Sequence, residues 1–105
     1  MREERIARLK ASIEAEPNDS FSRYALALEY AGMNNTADAT ALLEDLIHRD
    51  PPYVPAHQQL GYLYQKLGRQ EDARSIFTRG IEVAGRQGDS HAQSEMQDAI
   101  DEMTS

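Results

Sequence analysis

Cysteine and tryptophan are both missing from this 105-residue chain, and glycine (6) and proline (4) are sparse. The lack of cysteine excludes disulfides, thiolate chemistry and zinc sites built on sulfur. Bases are in short supply, with 11 Lys and Arg against 18 Asp and Glu for a formal charge of −7. That balance opposes nonspecific nucleic-acid binding, which needs clustered cations to neutralise phosphates. No apolar run approaches the ~18 residues that a bilayer span requires, so no membrane partner is expected. Met1-Arg2-Glu3-Glu4-Arg5 is charged where a secretory signal would be apolar, which points to a cytoplasmic setting. The length suits one domain with a single modest core.

The acidity is uneven. Asp89, Glu95, Asp98, Asp101 and Glu102 lie in a C-terminal segment without Lys or Arg, which contributes −5 of the net charge of −7. Three readings apply: a solvated outer face, a docking strip for a basic partner or for the neighbouring Arg-bearing helix, or a salt-adapted host. On and after the second helix of the better repeat, Arg69, Arg74, Arg79 and Arg86 interleave with Glu71, Asp72 and Glu82. Pairing of Asp98 or Glu95 with one of these arginines is expected, worth at most about 1 kcal/mol if exposed.

What is present is helical periodicity. From Val54 to Ala84 the sequence predicts two amphipathic helices joined by a tight turn. Leu60, Gly61, Tyr64 and Leu67 share one face, and Ala73, Ile76, Phe77, Gly80 and Ile81 share another. Gly61 and Ala73 are small enough for two backbones to approach, while Gly68 suits the left-handed cap that ends the first helix. Shifting the sequence by 34 residues superimposes Leu26, Ala27, Tyr30 and Met33 on Leu60, Gly61, Tyr64 and Leu67. The same shift places Asn34 on Gly68, Ala39 on Ala73, Leu43 on Phe77, Ile47 on Ile81, Leu9 on Leu43 and Pro17 on Pro51.

Punctuation agrees with this phasing. A first helix, about Glu3–Ala15, corresponds to the second member of a hairpin. Asp19 or Ser20 caps a helix over Phe21–Met33, Asn34 turns the chain, and Thr36 caps a helix running to His48. Pro55 fits the first turn of the next helix. Gly85-Arg86-Gln87-Gly88 reads as a loop, and Ser90 with Gln93 as a capping box for a last helix ending at Met103. The 34-residue shift fails there, because it would put Glu95 on Gly61 and Asp98 on Tyr64. That helix, with its stripe Ala92, Met96, Ala99, Ile100 and Met103, is expected to cover the end of the stack.

This 34-residue period, with Leu60, Gly61, Tyr64, Gly68, Ala73, Phe77 and Ile81 in place, resembles the tetratricopeptide repeat (TPR) family, in the style of a small bacterial member. The likeness covers nearly all of residues 3–84. Two departures stand out: Arg23 and His57 replace the large aromatic common one turn before the Leu-Gly pair, and Leu46 replaces a small residue late in the second helix. The resemblance implies an all-α fold, a right-handed α-solenoid of stacked antiparallel helix hairpins with about six helices. It divides the chain into a half-repeat helix (1–17), two repeats (18–52 and 53–86) and a capping helix (88–105).

The resemblance also implies a concave groove lined by the first helix of each hairpin. Helical spacing then assigns Phe21, Tyr24, Leu28 and Ala31, followed by Gln58, Tyr62, Gln65 and Lys66, to a surface for a short peptide or helix. The competing reading packs Tyr24, Leu28 and Tyr62 against one another or under the last helix. The Lys and Asn clamp that some TPR domains use for a carboxylate terminus is absent, since Lys66 is the single base on these faces. No nucleophile elbow or phosphate loop occurs. His48, His57 and His91 fall in three helices without paired spacing. The expected role is therefore a protein-interaction module or scaffold with no catalytic residue, cofactor or metal. A homodimer built from Ala39, Leu42, Met96, Ile100 and Met103 is the alternative.

Overall fold

A computed structural model describes residues 1–103. Six α-helices and no strand occur among them: α1 (Arg2–Ala15), α2 (Ser20–Gly32), α3 (Thr36–Arg49), α4 (Val54–Lys66), α5 (Gln70–Arg86) and α6 (Ser90–Met103). They form two compact units that meet at Pro51 and Pro52, with three helices in each.

In the first unit α2 and α3 form a hairpin, and α1 packs on α2. Ala27 and Ala39 are fully buried, which lets the α2 and α3 backbones approach, while Leu26, Leu43, Leu46 and Ile47 fill the space beside them. Leu46 is wholly covered, so the bulk that replaces a small residue there is accommodated. No residue of α1 is buried, although Ile6, Leu9 and Ile13 are half-covered on one face. In the second unit α5 is sandwiched between α4 and α6, with Phe77, Leu60, Met96 and His57 among its fully buried side chains. A Cβ on Gly61 would collide with the Phe77 ring, and one on Gly80 would stand 2.6 Å from Met96 Sδ. These glycines are contact points between helices.

The turns explain why the hairpins form where they do. Asn34 adopts φ of 61° and Gly68 φ of 76°. In each case the next residue donates its N–H into the last helical turn, Asn35 to Tyr30 O at 2.9 Å and Arg69 to Tyr64 O at 2.8 Å. This is the Schellman arrangement, which satisfies carbonyls that the helix end leaves orphaned. A third such turn follows α5 at Gly88, with Asp89 N–H donating to Ala84 O at 2.9 Å.

Three local expectations need correction. Asn35, not Thr36, caps α3, its Oδ1 accepting from Asp38 N–H; the residue just outside the helix does the capping. Asp89, not Ser90, caps α6 by accepting from Ala92 N–H at 3.1 Å. The segment Gly85–Arg86 is helical, because α5 runs for 17 residues against 14 in α3. This extension moves the register of α6. Val54 follows Ser20 by 34 residues, and Ser90 follows Val54 by 36. On that spacing Ala92 and Met96 occupy the places of Ala56 and Leu60, and all four are buried. The last helix thus continues the order of the repeat with two residues inserted, which a fixed 34-residue shift conceals.

Candidate interaction surfaces

The eight predicted groove residues fall on two helix faces, one in each unit. On α2, Phe21 is 68% exposed and Leu28 37%, while Tyr24 and Ala31 are half-buried. On α4, Tyr62 is 37% exposed, Lys66 is exposed, and Gln58 and Gln65 are half-buried.

The α4 face is partly organised by α6. The Gln58 side-chain amide donates to Tyr62 Oη at 3.0 Å and to Glu95 Oε1 at 3.2 Å. Tyr62 also stands edge-on to Phe77, with ring centroids 5.5 Å apart. The last helix therefore borders this face at Gln58, leaving Gln65 and Lys66 further along. Glu95 is further paired with His91 at 3.4 Å. Among the described residues no bridge joins Glu95 or Asp98 to an arginine of α5. Arg69 pairs with Asp72 at 2.9 Å and Arg86 with Glu82, both within one helix neighbourhood, where three- and four-residue spacing brings charges together at little entropic cost.

On the first unit Leu28 opens into a cleft of 420 Å³ between α1 and α2, lined also by Arg5, Arg8, Leu9, Ser12, Ala25 and Glu29. Arg5 Nε donates to Glu29 Oε1 across it at 2.7 Å. The α1 contribution was absent from the predicted surface. Its signal lay in the repeat itself: Arg5, Arg8 and Ser12 occupy positions held by Ala39, Leu42 and Leu46 one period later.

The two replaced aromatics have different fates. Arg23 is 9% exposed, donating from Nε to Pro17 O at 2.9 Å and from Nη1 to Asp45 at 3.2 Å. It ties the α1–α2 turn to α3 through polar bonds where a ring would use apolar contact. His57 is fully buried between α4 and α5, with Nδ1 3.0 Å from Tyr53 O and Nε2 without a partner. Burial, with a smaller push from the Arg79 charge, holds its imidazole below the ordinary histidine range. At the other extreme, bonds from the Ser22 hydroxyl and backbone N–H keep the Asp19 carboxyl low. Of the residues expected at a dimer surface, Ala39 and Met96 are fully buried in their own units and are unavailable to a second copy. Among the described residues no group of three or more His, Asp or Glu is placed to hold a metal ion. No helix among the described residues is long and apolar enough to cross a membrane.

A family model described as tetratricopeptide repeat matches residues 30–98. No curated protein matches the sequence. Among solved structures, a tetratricopeptide repeat domain protein from Salinibacter ruber is 45% identical and superposes with a TM-score of 0.76 over 80% of this chain and 85% of that one. Protein BPP2914 from Bordetella parapertussis is 25% identical, with a TM-score of 0.81 over 94% and 86% of the two chains. YrrB, described as a TPR protein with an unusual peptide-binding site, shares the fold at 18% identity, with a TM-score of 0.74 over 89% of this chain and 46% of its own. With its helical hairpins, small contact residues and left-handed turns in place, the chain belongs to the tetratricopeptide repeat family.

Proposed function

We propose that this protein is a non-catalytic interaction module, acting as an adaptor or scaffold that binds short peptides or amphipathic helices on the face of α2 in one unit and on the face of α4 in the other. The reading keeps the division into half-repeat, two repeats and capping helix, and a cytoplasmic setting. One observation carries it. Phe21, Tyr24 and Leu28 form a continuous aromatic and aliphatic stripe on α2, and Phe21 is 68% exposed. Large apolar side chains left open in a row are typical anchors for a partner. Gln58, Tyr62, Gln65 and Lys66 give the corresponding face of α4 hydrogen-bonding groups.

The test is selection of ligands from a displayed peptide library, followed by titration of the best one. Tyr24→Ala combined with Tyr62→Ala should weaken Kd at least tenfold with an unchanged far-UV circular dichroism spectrum. Retained affinity in that double variant overturns the assignment of these faces.

A further inference from the structure

The cleft between α1 and α2 has a meaning in the repeat. In the α4–α5 hairpin Gly61 meets Phe77 and His57 meets Gly80. Two periods of 34 residues before Ala73, Ile76, Phe77 and Gly80 stand Arg5, Arg8, Leu9 and Ser12, and these four line the cleft. The side of α1 that α5 uses to hold its own first helix is therefore open, and α2 supplies the facing wall with Ala25, Leu28 and Glu29.

At the other end, α6 is a first-type helix by register. Gln93 and Gln97 take the places of His57 and Gly61, the two positions through which α4 meets α5. Gln97 is exposed, and its amide bends back to Asp101 of the same helix at 3.0 Å.

We propose that α6 of one copy seats in the α1–α2 cleft of another, so that two copies complete a hairpin which neither holds alone. Carrying the observed pairing across sets Gln97 against Leu9, with Ile100 one turn on, toward Arg5, while the Gln93 amide stays bonded to Ile81 O of its own α5. Size is conserved: where Gly61 faces the large Phe77, a medium Gln97 faces a medium Leu9. Charge is complementary. Residues 89–105 hold five acids and no Lys or Arg, whereas the cleft presents Arg5, already paired with Glu29, and Arg8, which has no ion pair among the described residues. Because the two contacting surfaces differ, each added copy leaves a fresh cleft and a fresh α6, so assembly is head-to-tail and does not stop at a dimer unless a ring closes. The proposal rests on residues that, Leu28 aside, take no part in the peptide-binding reading.

Sedimentation velocity across a wide range of concentration tests it. The mass of the 105-residue protein should rise from 11.8 kDa past that of a dimer. Arg8→Glu should spoil the cleft, and Gln97→Arg, meeting Arg5 and Arg8, should spoil α6; each alone should weaken association at least tenfold with unchanged circular dichroism. An equimolar mixture of the two variants should recover the association that each lacks alone, since the unaltered cleft of one meets the unaltered α6 of the other. The double variant, with the charges exchanged, should regain growth beyond the dimer. A wild-type protein that stays at 11.8 kDa throughout overturns the proposal, as does a mass that halts at a dimer while the mixed variants fail to pair.

Discussion

Gly61 and His57 show how single residues set the packing of the second unit. Gly61 removes a side chain where the Phe77 ring must lie, so Gly61→Ala pushes the new methyl into that ring. Overpacking of this kind costs about 1–3 kcal/mol, against a gain of about 1 kcal/mol from replacing a helical glycine. Urea denaturation should therefore show a net loss of up to about 2 kcal/mol. His57 supplies a pH signature. Its folded-state pKa lies below the ordinary value of 6.5, chiefly through burial, so the unfolded chain binds its proton more readily. Stability from the neutral ring is fully present above pH 6.5 and is lost as the pH falls toward the depressed folded value. Urea midpoints measured at closely spaced pH values in this window should decline for the wild type and flatten for His57→Leu. An equal decline in both would assign the effect to other groups.

At the scale of elements, the six helices differ in how firmly they are held. α5 buries Ala73, Ile76, Phe77, Gly80, Val83 and Ala84, whereas α1 buries nothing. Helix stability in proteins comes mostly from packing of the apolar face and little from propensity. Amide hydrogens of α1 should accordingly exchange much faster than those of α5 in dilute protein, through local opening well below the global unfolding free energy. Protection of α1 equal to that of α5 under those conditions would contradict the packing argument. Turns also belong to this scale. Asn34 and Gly68 were legible because few residues tolerate a left-handed backbone, and each stands where an apolar stripe ends. The extension of α5 was not legible, because Gly85, which in sequence suggests a loop, faces the side chain of Gln93 on α6.

For the whole molecule the governing quantity is charge. With 18 acids against 11 bases, compaction works against net self-repulsion. The ion pairs within the chain are largely exposed, Arg69 with Asp72 and Arg86 with Glu82 for example, and such pairs contribute little. Added salt shortens the Debye length from ~30 Å at ~0.01 M to ~8 Å at ~0.15 M. Tm should rise by several degrees over that range, because screening relieves repulsion more than it weakens pairs. A Tm that falls would mean that the ion pairs outweigh the net charge.

The all-α fold and the hairpin period could be read from the chain alone, because they follow from local rules. Apolar residues at helical spacing define faces, small residues at Ala27, Gly61, Ala39 and Ala73 mark where helices touch, and glycine or asparagine marks where they end. Other features depended on what each helix meets. Arg23 and His57 occupy matching positions, yet one is satisfied by Pro17 O and Asp45 and the other is fully buried with Nδ1 against Tyr53 O. The two-residue advance of α6 and the cleft beside α1 came from packing across helices. Spacing along a chain specifies which residues share a face. It does not specify what covers that face, and that was decided by the tertiary structure.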